Sequence, residues 1–396
     1  MEVRQITPEE MISRSKIQSI AFLFSRDFSK PPEGPDAFQS DCDTGRAAFN
    51  DEGKMCSCLD LIPFDVCFDG SIVKMGGIGG VASLPEERQK RYIRNIFEYI
   101  MKEMYEKDYI FSYLYPFSHP YYRKFGYELN MALRCYSISV SSFRHFTQTG
   151  EMRLYTGEKE SVDVKNIYEE FIRDKNLAVV RTDKLWKRFL EKDPYRDNVY
   201  LYVWHDGSGG ARGYIQYHTE KSPSGKYNLH IHELIWLDRN AFTGTLGFIG
   251  ALSAQIDKIF WRAPEFVNLL TLFPEPYEVG QEILTYGMNR IVNVEKALQT
   301  MTVPSGSGEA TIAVKDDFFP LNTGNYTLSW EGGRHTVRRT QSPPDIFCDI
   351  QALSQLVTGF SSVSELGLAG SIVVVGNEAA LSQALPKKPL FINNYF

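Results

Sequence analysis

Between residues 92 and 104 the apolar positions fall at Ile93, Ile96, Phe97, Ile100, Met101 and Met104. Steps of three and four place them on one buried face of a long helix. Pro85, Glu86 and Glu87 just upstream suit that helix's start, because proline fits a first turn and acids favour the positive dipole end. Residues 54–68 and 71–84 read as strands. Asp69-Gly70 between them predicts a hairpin turn with positive φ. Residues 109–115 read as a further strand, broken by Pro116 to Pro120 and followed by a short helical turn over Tyr121 to Tyr127.

The pattern recurs coarsely downstream. A helical stretch is predicted over 163–192, strands over 198–204, 213–219 and 229–237, and a helix over 241–262. Asp206 to Gly210 forms a flexible hairpin loop between the first two of those strands. The halves share the order helix, antiparallel strands, strand, helix, but no sequence identity, so a repeat rests on order alone. From about 291 the chain changes again. A loop over 302–308 leads to strands at 310–315, 325–330 and 334–340, helices at 349–358 and 362–368, and a strand at 371–375. The end, LFINNYF, is apolar and aromatic where free ends are usually polar, which predicts that something buries it.

Length and charge narrow the class. A chain of 396 residues suits two or three domains. A hydrophobic share of 43% and an aromatic share of 13% exclude wholesale disorder. Lys+Arg number 43 against 49 for Asp+Glu, giving a net charge of -6. That balance disfavours duplex nucleic acid as a partner and suits cationic ligands. No apolar run approaches the roughly 20 residues of a membrane span, so no membrane partner is expected. The start, MEVRQITPEE, is too polar for a secretion signal. Six cysteines, irregularly spaced, do not form a disulfide framework, and a cytoplasmic location is expected.

The segment 78–97, IGGVASLPEERQKRYIRNIF, runs strand, proline, helix. A helix start exposes unpaired N–H groups and a positive dipole end, which suits a pyrophosphate. Arg88, Lys90, Arg91 and Arg94 add cations there, although a solvated basic face explains charge alone equally well. Gly76, Gly77, Gly79 and Gly80 precede the motif within a strand, so they read as bulge or close-approach positions.

The run V-A-x-x-P-x-x-R before an amphipathic helix resembles motif A of the GCN5-related N-acetyltransferases (GNAT). That resemblance implies acetyl-CoA as co-substrate. Val81 and Ser83 would meet pantetheine through their backbones. Arg88, Gln89, Lys90, Arg91 and Tyr92 would lie along the pyrophosphate. Arg91 departs from the family, which has glycine there. Two readings stay open: the guanidinium compensates by charge, or its bulk weakens cofactor binding.

Residues 116–128, PFSHPYYRKFGYE, carry the P-x-Y-x-x-F-G-Y run of the same family. The resemblance puts Tyr122 beside the thioester sulfur. A phenol of pKa about 10 can protonate a leaving thiolate. Phe125, Gly126 and Tyr127 read as structural. Residues 310–396 are similar to a sterol-carrier-protein-like domain, through DDFFPLNTGNYTLSW and DIQALSQLVTGFSSVSELGLAG.

Two acetyltransferase-like blocks followed by such a domain resemble the Eis (enhanced intracellular survival) family over essentially the whole chain. The implied fold is α+β. Residues 1–145 form a GNAT domain with the acetyl-CoA site, 146–290 a degenerate GNAT copy, and 291–396 a sterol-carrier-protein-like α/β domain delivering the C-terminus. The implied activity is acetyl transfer to primary amines of an aminoglycoside, a polyamine or a lysine side chain. Family members form rings, so a homo-oligomer, possibly a hexamer, is implied as well. The Phe396 carboxylate would enter the active site of the first block as general base. Desolvation by aromatic walls would raise its basicity. Phe24 and Asp27, with Phe22 and Phe28, would line the amine pocket, where aromatic faces accept cations.

Other signals carry less. Cys56, Cys58 and Cys67 lack a second pair or histidine for tetrahedral ligation, so no metal is expected. His230 and His232 share a strand face, with Glu233 on the other. His119 either tunes the Tyr122 loop or is merely solvated. No G-x-S-x-G or P-loop motif is present. The rival reading is a non-catalytic ligand-binding protein with a degenerate cofactor site, and Arg91 is its best support.

Overall fold

A computed structural model describes residues 1–30 and 42–396. The first part runs β1 (Glu2–Gln5), α1 (Met11–Phe22), β2 (Gly45–Phe49), β3 (Met55–Phe68), β4 (Ser71–Ser83), α2 (Tyr92–Glu106), β5 (Tyr109–Leu114), α3 (His119–Arg123) and β6 (Glu128–Ser139). Asp69 and Gly70 close the β3–β4 hairpin with φ of 48° and 80°, the left-handed pair such a turn requires. Helix α2 buries Ile93, Ile96, Phe97, Ile100, Met101 and Met104, the face that the spacing predicts. It does not start at Pro85, however. Pro85–Glu87 is a separate 3-10 turn, and Gln89 and Arg91 follow with φ of 67° and 64°. A right-handed helix cannot run through left-handed residues, so it begins only at Tyr92.

The second part runs β7 (Glu151–Leu154), α4 (Glu158–Ile172), α5 (Asp183–Leu190), β8 (Val199–His205), β9 (Ala211–Lys221), β10 (Tyr227–Trp236), α6 (Arg239–Ala251), β11 (Ile256–Pro264) and β12 (Val279–Ile291). Two expectations change here. The helical stretch over 163–192 divides into α4 and α5, with Leu177 at φ 63° between them. The helix expected over 241–262 ends at Ala251. Ile256–Pro264 is instead a strand, held between β10 and β6. A mixed stretch of that length, with Asp257, Lys258 and Arg262 among apolar residues, suits either element, and the strand pairing decides it.

These strands form one twelve-stranded sheet in the order β1-β2-β3-β4-β5-β12-β6-β11-β10-β9-β8-β7. Its parallel pairs are β4–β5 and β10–β11. Strand β12, from the far end of the second part, lies between β5 and β6. The two parts therefore share one sheet through an inserted strand.

The third part adds α7 (Val294–Thr300), β13 (Ser307–Lys315), β14 (Gly324–Glu331), β15 (Arg334–Thr340), β16 (Ile346–Asp349), α8 (Ile350–Thr358), α9 (Val363–Leu368), β17 (Ile372–Val374) and α10 (Glu378–Ala384). Its sheet has the order β15-β14-β13-β16-β17. Helix α8 packs on β6 and β12. Arg290 on β12 pairs with Asp316, both fully buried, tying this part to the large sheet. Beyond α10 the chain turns back as an extended tail. Phe391 and Ile392 are buried, as the apolar ending predicts. No helix among the described residues is long and apolar enough to cross a membrane.

Candidate active site

Strands β4 and β5 pair in parallel up to Ile78↔Leu114 and then part. Just past that point β4 slips register against β3, between the pairs Asp60↔Gly79 and Cys58↔Ala82. Gly80 sits in the bulge at φ 56°. A Cβ there would meet Gln18 and stand 2.6 Å from Asp60 Oδ2. Buried Asp60 accepts from Arg14 Nη2 at 2.8 Å, Gln18 Nε2 at 3.3 Å and Thr44 Oγ1 at 3.3 Å. Burial raises the Asp60 pKa, and Arg14 opposes that rise. Gly76 and Gly77 are close-approach positions, against Met104 and the Phe396 ring respectively. Gly76, Gly77 and Gly80 thus serve the close packing and the bulge that the sequence assigns to them, whereas a Cβ at Gly79 would make only ordinary contacts, at 3.5 Å.

The turn between β4 and α2 offers an anion cradle. Among the described residues, no backbone N–H from Gln89 to Arg94 has a protein acceptor, and no side chain caps α2. Arg88 and Arg91 are exposed and make no ion pair among the described residues. Lys90 pairs with Glu87 at 2.9 Å, and Arg94 with Glu98 at 2.9 Å. Val81 lies where β5 no longer covers β4, and Ser83 Oγ meets Ser57 Oγ at 2.7 Å. Tyr92 turns its ring into the core, leaving only its backbone N–H for an anion. Its hydroxyl is pushed up to about 12 by a hydrogen bond to Cys56 and by burial.

Tyr122 on α3 is buried with α2. Its ring lies edge-on to Phe97 at 6.2 Å and to Tyr121 at 5.2 Å. Burial, with Tyr121 and Tyr127 adding to it, pushes its pKa well above the usual 10. The group therefore holds its proton and can act only as a donor at neutral pH.

Phe396 lies on the other face of the sheet. Successive residues of a strand face opposite ways. Ile78 and Leu114 pack with Tyr122 and α2. Phe396 packs instead with Phe64, Tyr113 and Tyr115, at centroid distances of 4.9, 6.5 and 5.2 Å. Its carboxyl carbon lies 3.5 Å from where a Gly79 Cβ would stand. Tyr115 Oη donates to Asn394 O at 2.7 Å and fixes the preceding tail. The gap between β4 and β5 is thus flanked by a proton donor on one face and a carboxyl group on the other.

Phe22, the last residue of α1, and Phe24 and Asp27 just beyond it stand exposed, and Phe28 is half-buried. Asp27 is engaged locally by Ser29 and Lys30. No described contact brings Phe24 or Asp27 to Phe396. His119 is half-buried, with Nε2 lacking a partner. His218 Nδ1 and His232 Nε2 lie 2.7 Å apart, and no metal-holding group of three or more ligands occurs among the described residues.

Sequence reasoning missed Asp60 and the polar group around Glu233. Glu233 accepts from Arg181 and Tyr214, and the tail's Asn393 donates to it. Gly80 was the one local signal for Asp60. Glu233 had none beyond its alternation with the flanking histidines.

The second parallel pair is built differently at its helix. Asp238 caps α6, accepting from Ala241 N at 2.9 Å and Arg212 Nε at 3.0 Å. A carboxylate thus occupies the place where α2 leaves open N–H groups.

Residues 2–130 match a family model described as an acetyltransferase (GNAT) domain, residues 177–291 match a second GNAT domain model, and residues 294–393 match a sterol carrier protein domain. The chain has the Eis-like architecture. Eis1 from Mycobacterium abscessus is similar over all of both chains at 20% identity, with a TM-score of 0.83. A GCN5-related N-acetyltransferase from Anabaena variabilis matches over 100% of both chains at 23% identity and a TM-score of 0.86. A conserved protein of unknown function from Enterococcus faecalis, a probable N-acyltransferase, covers 100% of this chain and 99% of its own at 23% identity and 0.85. No curated protein matches the sequence. The chain is α+β, and its GNAT domains support acyl transfer as its class of chemistry.

Proposed function

We propose that the chain moves acetyl from acetyl-CoA to a primary amine by direct attack. The observation that carries this is the Phe396 carboxyl group beside Gly79, where β4 and β5 part. Acetyl-CoA would supply the thioester. The open N–H groups from Gln89 to Arg94, with Arg88 and Arg91, fit its pyrophosphate. Val81 and Ser83 would hold pantetheine from β4.

In the transfer, the Phe396 carboxylate draws in an ammonium group and takes its proton, freeing the amine lone pair. The amine nitrogen bonds to the carbonyl carbon, and backbone N–H groups at the bulge stabilise the oxyanion. The C–S bond then breaks, Tyr122 gives its proton to the thiolate, and the tetrahedral nitrogen loses its extra proton to solvent water, which returns a proton to Tyr122. The net charge of -6 and the aromatic wall around Phe396 suit an aminoglycoside, a polyamine or a lysine side chain. Phe24 and Asp27 would line the outer approach for that cation. The second GNAT domain would bind no acetyl-CoA, because Asp238 occupies its helix start. Self-assembly into a ring in the cytoplasm belongs to the same reading, and light scattering tests the ring.

The rival, a binding protein with a relic cofactor site, leans on Arg91. The left-handed backbone at Arg91 speaks against it, because the loop keeps a glycine-like shape. Calorimetric titration with acetyl-CoA, then CoA release with an amine panel, tests the function. One site per chain and amine-dependent CoA release are expected. Absence of binding overturns the reading. A few residues appended after Phe396 should abolish turnover and leave acetyl-CoA binding intact.

A further inference from the structure

Strands β10 and β11 pair in parallel up to Ile231↔Trp261 and then part, just as β4 and β5 do beyond Ile78↔Leu114. Strand β10 also slips register at the same place, between Ile231 and Glu233. The second domain therefore has a cleft built like the first. Part of it is filled by the tail. Phe391, Ile392 and Asn393 form one wall of a cavity of about 550 Å³, with Trp261, His232 and Glu233 on the others.

We propose that this cleft is a dock for the C-terminal tail, and that Glu233 is a positioning residue for Phe396, acting through Asn393. Glu233 and Arg181 are both buried, with Arg181 Nη1 at 3.0 Å and Nη2 at 2.5 Å from the carboxylate. Tyr214 Oη donates to Oε1 at 2.5 Å. The Arg181 guanidinium is walled by Tyr168, Trp186 and Phe189 at 4.1, 4.9 and 4.5 Å. A buried ion pair adds little net stability over an apolar replacement, but it makes a rigid acceptor of known direction. Asn393 Nδ2 is the tail group that uses it.

Upstream, Asn176 holds the same tail. Its N–H donates to Pro389 O at 2.8 Å, and its carbonyl accepts from Phe391 N at 3.1 Å. Its side chain accepts from Asp69 N at 2.8 Å and donates to Thr358 O at 3.0 Å. Asn393 is the last such anchor in the second domain. Three residues on, at most about 10 Å of chain, lies Phe396. A slack anchor would therefore be felt at the carboxyl group, where a misplacement of about 1 Å can cost two orders of magnitude.

The kinetic arm of the test rests on the function proposed above, and the other arm does not. Asn393→Asp is isosteric and sets a carboxylate against Glu233. We expect at least a tenfold loss of kcat, unchanged KM for acetyl-CoA, and faster backbone hydrogen exchange over residues 391–396. Asn393→Ala removes the donor without adding a charge and should show the same two losses, so repulsion between carboxylates is not their only source. Unchanged exchange in Asn393→Asp, with or without loss of kcat, overturns the proposal. If the native chain shows no turnover, the functional reading fails, and hydrogen exchange alone decides the dock.

Discussion

Gly77 and Phe396 fit each other closely: a Cβ at Gly77 would stand 2.7 Å from the Phe396 ring. The same Cβ would stand 2.7 Å from the Phe64 ring, so the aromatic wall has no slack on that side. Gly77→Ala should push the tail away from the point where β4 and β5 part. Overpacking of this kind costs about 1–3 kcal/mol. Gly77 is not among the left-handed glycines, so its backbone accepts alanine without strain. The expected result is a folded protein with intact acetyl-CoA affinity and a kcat lowered by roughly tenfold or more, the scale of such a displacement. Steady-state kinetics beside calorimetry checks the split. An unchanged kcat would remove the Phe396 ring position from the mechanism.

Tyr122→Phe keeps the buried ring and deletes the proton. General acid catalysis is worth about 10²–10⁴-fold, and kcat should fall within that range with little change in thermal stability. Because burial raises the Tyr122 pKa, no alkaline loss of kcat up to pH 10 should trace to this group. Stability has its own sign. Tyr113, Tyr115, Tyr122 and Tyr214 all have folded pKa values raised by burial. The unfolded chain gives up those protons near its ordinary pKa of about 10. Folding stability from these groups is therefore complete below about pH 10 and falls as pH rises above it. Denaturant titrations at pH 8 and pH 11 test this, and equal midpoints would contradict it.

Local chemistry made part of this site legible. The face of α2 follows from the 3.6-residue period, the Asp69-Gly70 turn from its demand for positive φ, and the buried tail from the apolar LFINNYF ending. The strand, loop and helix over 81–92 announced the anion cradle. Features joining distant residues stayed hidden. Arg14 lies 46 residues from Asp60, and Arg181 lies 52 from Glu233. No local pattern carries such a pairing. The insertion of β12 between β5 and β6 is likewise non-local. Ile256 to Trp261 read as helix because so short a mixed stretch does not state its period, and only its neighbours β10 and β6 make it a strand.

Arg91 tests how the loop tolerates a side chain in a glycine conformation. A left-handed residue with a Cβ costs about 1–2 kcal/mol. Glycine returns about 0.4–1 kcal/mol of that to the unfolded chain as entropy. Arg91→Gly should therefore stabilise the protein by about 0.5–1 kcal/mol. It should also remove one exposed cation from the cradle, so acetyl-CoA affinity should fall modestly and depend less on salt. Denaturant unfolding and calorimetry at two salt concentrations measure both. Lower stability in Arg91→Gly would show that the guanidinium does more for the fold than its exposed position indicates.

Arg290 and Asp316 make the sharpest stability prediction, because both are fully buried. Arg290 also donates to the Phe125 carbonyl just behind Tyr122, and Asn322 Nδ2 donates to Asp316 at 3.0 Å. Asp316→Ala would leave the guanidinium buried without its counter-charge. Breaking one side of such a pair costs about 3–5 kcal/mol. The loss should appear first where the third domain meets the large sheet, loosening α8 and the chain that follows it. Activity should therefore fall at temperatures where the first domain still binds acetyl-CoA. Replacing both partners by apolar residues, as in Arg290→Met with Asp316→Leu, removes the uncompensated charge and should recover most of the stability. Thermal unfolding of the three variants checks the order wild type, double variant, single variant. A single variant as stable as the wild type would show that the pair does not hold the domains together.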